Sequence, residues 1–288
     1  MTNPVGAGAG VGLFSLGIFM FALNDALGKW LVADYAVGQL LFLRTVGAVA
    51  VLGPLLWNSR ADVRIRDQWS WHLLRILCMA ADTFSFYFAT KSLPLADVMT
   101  FYLAAPIIIT ALSVPFLKEK VGPFRWAAVL VGFGGVVIAL KPTGAAFSTA
   151  ALIALFGSSM FATAITVTRR LRDTHWLTLV TWQFVGAGIL GGAASAFSWT
   201  EPGPLDLLLM FLVGIVSIIC FICITKALAL APASLLAPFQ YVSIVWAVVL
   251  GWLVFGDKPT PNIVLGSLVI IASGLAVFYR ERWRARHA

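Results

Sequence analysis

The sequence predicts an all-α polytopic membrane protein with ten transmembrane helices, because it is apolar, evenly segmented and internally duplicated. Of its 288 residues, 60% are hydrophobic and 11% are charged, whereas soluble domains carry roughly 25% charged residues. A water-soluble fold cannot bury this much apolar surface. The lipid bilayer is therefore the expected solvent.

Ten apolar segments account for most of the chain, and a membrane-spanning helix needs about 20 mostly apolar residues. The segments lie at about 9–32, 36–57, 71–91, 96–117, 123–140, 149–168, 176–198, 206–228, 235–256 and 260–279. Only short loops remain, which leaves no room for a soluble domain. The first residues lack a basic stretch and a cleavage site, so we expect them to belong to the first helix rather than to a signal peptide.

The placement of basic residues predicts the orientation in the membrane. Ten spans put both termini on one side, and if that side is the cytoplasm, fifteen of the 20 Lys and Arg residues lie at it. The positive-inside rule therefore places both termini in the cytoplasm of a bacterial-type inner membrane. The net charge of +8 reflects this topology. We do not expect nucleic-acid binding, since the basic residues form short bands and not a continuous groove.

A seven-residue phrase occurs twice, about half the chain apart: TKSLPLA at 90–96 and TKALALA at 225–231. Other landmarks recur at a separation of 139 residues. They are Arg44 and Gln183, Tyr102 and Tyr241, and Gly135 and Gly274. These matches divide the chain into two repeats, residues 1–143 and 144–288, with five spans each.

Five is an odd number, so the second repeat enters the membrane from the side opposite to the first. Two such inverted repeats, related by an axis in the membrane plane, can open a central cavity first to one side and then to the other. An alternative is that two helix ends share small apolar residues by chance. That alternative does not explain the other matches at nearly the same separation.

Two stretches of similar design carry a resemblance to a known family. Residues 115–138 (PFLKEKVGPFRWAAVLVGFGGVVI) and 252–274 (WLVFGDKPTPNIVLGSLVIIASG) each join an apolar helix, a turn with an acid and a Gly-rich helix. With the ten spans, they resemble the EamA-domain branch of the drug/metabolite transporter superfamily. The resemblance implies a five-plus-five inverted fold, a central cavity and usually metabolite efflux. One departure is Asp257, where the second half of such proteins usually has Glu.

Residues 234–257 are similar to members of this superfamily that move amino acids, and the nearest group is the YddG-type exporters of aromatic amino acids. This part of the resemblance implies export of amino acids or related small metabolites. We expect the transporter to be secondary or facilitative. The sequence contains no ATP-binding phosphate loop, no cofactor motif and no cluster that completes a metal site.

Three ionisable residues, Asp25, Arg44 and Asp82, fall inside predicted spans, where charged groups are costly and often functional. At 1.5 Å per residue, all three lie roughly 10–14 Å from the outer ends of their spans, so they can meet in the interior. Arg44 can then bind a carboxylate, and Asp82 can bind an ammonium group or carry a proton. The structural alternative is that Arg44 pairs with an acid to hold helices together.

Five further residues complete the predicted substrate site: Asn24, Tyr102, Gln183, Tyr241 and Trp246. Asn24 adjoins Asp25, and Gln183 is the repeat counterpart of Arg44. The two tyrosines are repeat counterparts that can line the cavity, gate its mouths or stack on an aromatic substrate; alternatively, they belong to the interfacial belts. Trp246 lies near the middle of its span, where it is expected in the core or the cavity wall.

Prolines fall in the spans that are expected to move, and they can act as hinges. They are Pro94, Pro106, Pro115, Pro232 and Pro238. Ordinary membrane helices also contain proline, which is the alternative.

Two other classes of function remain as alternatives to a transporter. A membrane-embedded enzyme needs a catalytic group of residues that the sequence does not display. A pore needs polar rings along one axis, whereas the polar residues here cluster in one layer. The expected partners are therefore a small-molecule substrate, the bilayer and, for a coupled transporter, protons.

Overall fold

The computed structural model describes residues 4–59, 63–65, 67–92, 95–140, 149–255 and 261–287. Helices make up its regular structure, and the ten predicted spans are confirmed. They are α1 (Pro4–Val32), α2 (Val37–Ser59), α3 (Trp69–Ser92), α4 with α5 (Leu95–Tyr102, Ala105–Leu117), α6 (Pro123–Leu140), α7 (Thr149–Arg170), α8 (Trp176–Ser195), α9 (Pro204–Leu230), α10 with α11 (Ala233–Leu236, Val242–Phe255) and α12 (Pro261–His287).

Six of the described helices are long and apolar enough, by length and composition, to cross a bilayer alone: α1, α2, α3, α7, α8 and α9. Shorter apolar helices complete the set, among them Ala105–Leu117 and the stretch Val264–Val277 of α12. Large apolar side chains such as Leu152, Ile189 and Leu265 are exposed, as expected of side chains that face lipid.

The fourth and ninth spans, which are repeat counterparts, are both interrupted. In the fourth span α4 ends at Tyr102, and Pro106 opens α5. In the ninth span a 3₁₀ turn, Ala237–Tyr241, separates α10 from α11 and contains Pro238. Proline lacks the backbone N–H that a continuous helix would use, so Pro106 and Pro238 mark the two breaks.

The other three prolines of the predicted hinges lie elsewhere. Pro115 is inside α5 and Pro232 precedes α10, whereas Pro94 is outside the described residues. Asp257 and the repeat boundary between 143 and 144 are also outside them.

The helices pack in a pattern that is symmetric between the two repeats. The most extensive contacts are those of α1 with α9 and of α3 with α7. Each of these pairs joins the first span of one repeat to the third span of the other. The second spans, α2 and α8, pack on each other, and so do the fifth spans, α6 and α12. Exchanging the repeats therefore converts this contact pattern into itself.

One crossing departs from the symmetry, because α2 packs on α9 more closely than α8 packs on α3. The cause is a pair of glycines. A Cβ atom on Gly47 would lie 2.6 Å from the Cα atom of Phe211, and one on Gly214 would lie 2.8 Å from the backbone nitrogen of Ala48. Small residues let membrane helices approach closely. This crossing brings the α2 backbone at Arg44 directly against α9.

A polar cluster joins five spans at the side of the molecule where α5, α7 and α9 end and α6 and α10 begin; we call it the Glu119 cluster. Glu119 accepts hydrogen bonds from the backbone N–H groups of Ala233 (3.1 Å) and Ser234 (3.2 Å). Arg169 lies 3.7 Å from the Glu119 carboxylate and donates to the carbonyl oxygens of Leu228 and Ala229. Arg125 donates to the Ser234 hydroxyl (2.9 Å).

Candidate functional site

A cavity lies between the two repeats, at the level of the two broken spans. Together with the open space at its mouth, it encloses about 930 Å³. Helices α1, α2, α3, α4, α7 and α9, the 3₁₀ turn and α11 all contribute to its wall. Much of that wall is apolar, with aromatic rings from Phe21, Phe86, Phe161 and Phe221.

Five of the eight residues predicted for the site line this cavity. They are Asn24, Asp25, Arg44, Asp82 and Tyr102. Three helices, α1, α2 and α3, bring the two acids and the arginine together, as their similar depths in the spans predict. Whether these residues bind a substrate stays a prediction.

Asn24 and Asp25 form a hydrogen-bonded chain with the second repeat. The Ser217 hydroxyl on α9 donates to the Asn24 side-chain oxygen (2.6 Å), and the Asn24 amide donates to an Asp25 carboxylate oxygen (3.3 Å). Asn24 and Ser217 are both buried. The chain thus holds one oxygen of Asp25 in place across the close contact of α1 with α9.

Tyr102 contacts the helix that carries Asp82. Its hydroxyl donates to the backbone carbonyl oxygen of Asp82 (3.1 Å), and its ring packs edge-on against Phe86, with 5.2 Å between ring centroids. Gly157 on α7 leaves room for this arrangement, because a Cβ atom there would collide with the Tyr102 hydroxyl and lie 2.8 Å from the Cβ atom of Ser85.

Arg44 is buried, with 4% of its surface exposed, yet its charge is not neutralised by a direct ion pair. Among the described residues, no carboxylate oxygen lies within 4.0 Å of its guanidinium nitrogens. The structural alternative, in which Arg44 joins helices through an ion pair, is therefore not what this structure shows. The guanidinium remains available to a ligand in the cavity.

Several buried polar atoms in the cavity wall have no hydrogen-bond partner within the described part of the chain. They are Arg44 Nε, Asp82 Oδ1, the Tyr87 hydroxyl and Gln240 Oε1. Buried polar atoms in proteins are nearly always hydrogen-bonded, and an unpaired one costs about 1–3 kcal/mol. A polar ligand or water in the cavity would satisfy these atoms.

The other three predicted residues are not among the described residues that line the cavity. Gln183 is buried in α8, and its side-chain oxygen has no partner in the described structure. Tyr241 packs with Leu103 and Ile270. Trp246 contacts Phe19 edge-on, with ring centroids 4.7 Å apart. Their participation in a substrate site also stays a prediction.

Among the wall residues with an unpartnered buried atom, Tyr87 and Gln240 were not predicted from the sequence. Tyr87 lies close enough to the end of its span to be taken for an interfacial residue. Gln240 carried a usable signal, because it is an amide in an apolar span, two residues after Pro238 and next to Tyr241. A polar residue beside a proline in a transporter span indicates a break that faces a cavity.

Known proteins of similar sequence are membrane transporters. The chain is 23% identical to the S-adenosylmethionine uptake transporter of Rickettsia bellii, over 95% of this chain and 94% of the relative. It is 28% identical to the riboflavin transporter of Rhizobium johnstonii, over 92% and 89%. It is 25% identical to the pseudopaline exporter of Pseudomonas aeruginosa, over 93% and 95%. These names do not include aromatic amino acids, so the closer resemblance to YddG-type exporters is not confirmed.

A solved crystal structure superposes on 98% of this chain and 98% of its own chain, with a TM-score of 0.78 at 17% identity; it shows that the fold is shared. The sequence profile of the EamA-like transporter family matches twice, at residues 8–141 and 148–279. The two matches cover both repeats of the fold described above. The chain belongs to the EamA-like transporter family and is a multi-pass membrane transporter of small molecules.

Proposed function

We propose that this protein exports amino acids, or small metabolites with an α-amino acid group, across a bacterial-type inner membrane by alternating access. The observation that carries the proposal is the pair of opposite charges in the cavity wall, Arg44 and Asp82, each with an unpartnered buried atom. A zwitterion carries both complementary charges. Its carboxylate would bind Arg44, and its ammonium group would bind Asp82.

The apolar wall suits the remainder of such a substrate. Phe21, Phe86 and Phe161 surround the charged groups, and aromatic rings pack well against apolar or aromatic side chains. S-adenosylmethionine, the named substrate of one relative, contains an α-amino and an α-carboxylate group, whereas riboflavin, named for another, contains neither. The proposal therefore rests on this chain's own cavity, and the relatives support transport of small molecules in general.

The direction of transport and the source of energy are part of the proposal. Both termini are proposed to lie in the cytoplasm, as the basic residues predict. The relatives include proteins named for uptake and for export. Asp82 is the buried acid whose free oxygen faces the cavity, so it is also the group that would carry a coupling proton.

The test is exchange transport by the purified protein in liposomes. Vesicles loaded with an unlabelled amino acid should take up the same radiolabelled amino acid with saturable kinetics, whereas riboflavin should compete weakly. Uptake that never saturates would indicate a pore, and a chemically altered solute would indicate an enzyme. Saturable transport of riboflavin without any of the amino acids would contradict the proposed substrate class.

The Asp82→Asn substitution tests the role of the charged pair. We expect exchange to fall roughly tenfold or more, because a hydrogen bond to a charged group contributes about 1.5–3 kcal/mol. Asp34→Asn is the matched control, since Asp34 is exposed in the loop between α1 and α2. Size-exclusion profiles should show that both variants fold. Unchanged exchange in Asp82→Asn would remove this residue from the site.

A further inference from the structure

We propose that Gln240 selects substrates by their side chains, favouring amino acids whose side chain ends in a neutral N–H or O–H donor. This inference rests on the proposed function, because it assumes that the charged residues bind the α-amino acid group. It adds the second repeat to the site, because Gln240 would contact the side chain of the substrate.

Gln240 lines the cavity from a backbone segment that is not α-helical. It lies in the 3₁₀ turn that interrupts the ninth span, its surface is 8% exposed, and its side-chain oxygen has no partner among the described residues. Ser243 is the next polar residue of the same span in the cavity wall. The described part of the ninth span thus contributes an amide and a hydroxyl, and no charged group, to the cavity wall.

The charged residues reach the cavity from other elements. Asp82 and Arg44 lie on α3 and α2, whereas the 3₁₀ turn packs mainly on α1, α5, α6 and α12. Gln240 therefore reaches the cavity from a turn that packs mainly on helices other than those that carry Arg44 and Asp82. A substrate whose α-amino and α-carboxylate groups bind Arg44 and Asp82 would direct its side chain towards the 3₁₀ turn.

The backbone around Gln240 is held in place by its neighbours. Tyr241 is fully buried, and its ring fills the space over Gly132, where a Cβ atom would collide with it. Phe239 is buried and lies close to Gly274. A side chain on such a fixed turn keeps its direction, which is a requirement for selecting between similar ligands.

The chemistry of a buried amide oxygen explains the expected preference. A substrate with an apolar end would leave this acceptor unpaired, at the cost of its desolvation. A substrate with a hydroxyl, amide or ring N–H donor would satisfy it. Sites built to hydrogen-bond a donor can reject the analogue that lacks it by several orders of magnitude. Tyrosine and phenylalanine differ only by such a donor.

The experiment measures how well unlabelled tyrosine and phenylalanine compete for exchange of radiolabelled tyrosine in proteoliposomes. The wild-type protein should favour tyrosine by roughly tenfold or more. Gln240→Leu should bring the ratio close to one while leaving phenylalanine binding unchanged or stronger. Gln240→Asn, which keeps the amide on a shorter side chain, should give an intermediate ratio and serves if the leucine variant does not fold.

Thr181→Val is the control, because Thr181 on α8 also has a buried side-chain oxygen without a partner in the described structure and is not among the described residues that line the cavity. It should leave the ratio as in the wild type. Equal competition by the two amino acids in the wild-type protein, or a ratio that Gln240→Leu does not change, would overturn the inference. Absence of any amino-acid exchange would instead overturn the proposed function.

Discussion

Unpartnered polar atoms distinguish the residues that line the cavity from the polar residues that join helices. Arg75 and Arg44 are both buried arginines. Arg75 donates to the Thr168 hydroxyl (2.7 Å) and the Leu179 carbonyl oxygen (3.0 Å), so it joins helices. Arg44 retains an unpartnered Nε atom among the described residues and faces a cavity. The same residue type is thus structural in one place and available for binding in the other.

Gly157→Ala tests whether Tyr102 positions the Asp82 region. The added Cβ atom would collide with the Tyr102 hydroxyl and should displace it from the Asp82 carbonyl oxygen. We expect the KM for exchange to rise several-fold, with a smaller change in maximal rate. Gly134→Ala in α6 is the control, because its Cβ atom would meet nothing within 4 Å. Equal KM values in the two variants would contradict a positioning role for Tyr102.

At the scale of residues, the sequence predicted those whose burial in a membrane is energetically costly. Charges within apolar spans led to Asp25, Arg44 and Asp82, and the structure brings them to one cavity. Internal symmetry led to Gln183 and Tyr241, which are not part of the described cavity wall. The repeats share a backbone but not a set of side chains, so a residue's counterpart need not face the same space.

The broken spans are the elements that give the cavity its shape. The positions of the spans followed from hydropathy, and the prolines indicated bends at Pro106 and Pro238. The sequence did not show that α4 would stop at Tyr102 or that a 3₁₀ turn would follow α10. Such breaks depend on neighbouring helices and on the cavity that satisfies the freed backbone groups, and neither is visible in one segment.

The Glu119 cluster joins five spans at one side of the molecule. Arg169 is eight residues beyond Phe161 on α7, so the cluster lies ~12 Å along that helix from the cavity wall. Glu119 and Arg169 are largely shielded, with 12% and 6% of their side chains exposed. Removing one partner of a shielded pair costs more than removing one from a surface pair. Under the proposed alternating access, we expect the contacts of the cluster to separate when the cavity opens on this side.

Glu119→Gln should make the cavity easier to open towards the cluster. A cysteine at Ser243 would report this, since Ser243 lines the cavity. We expect an impermeant thiol reagent to label Ser243→Cys several-fold faster in the Glu119→Gln background, in inside-out membrane vesicles. The chain without the Ser243 substitution supplies the background from its buried native cysteines.

Glu201→Gln is the control for this experiment, because Glu201 is exposed in the loop between α8 and α9, away from the cluster. It should leave the labelling rate as it is. Equal labelling with and without Glu119→Gln would show that the cluster does not close this side.

At the scale of the whole molecule, the fold was the most predictable feature. Composition required a bilayer, and an odd number of spans in each repeat required inversion, whatever the individual side chains. The contacts of α1 with α9 and of α3 with α7 agree with that arrangement. The substrate was much less predictable, because it depends on a few side chains at the interface of the repeats.

Exchange should be faster than net transport, which tests the molecule as a two-state carrier. The unpartnered atoms of Arg44, Asp82 and Gln240 would be satisfied by a substrate bound as proposed and would depend on trapped water without one. We expect efflux of labelled amino acid from liposomes to accelerate several-fold when unlabelled amino acid is added outside. Identical efflux with and without external amino acid would contradict this expectation.

The polar wall of the cavity therefore bears on how the cell retains its nutrients. A carrier whose unloaded form reorients slowly transports little when its substrate is scarce. It turns over quickly only when substrate is present on both sides of the membrane. The unsatisfied atoms between the two repeats would then act as a built-in brake against leakage, without a separate regulatory domain.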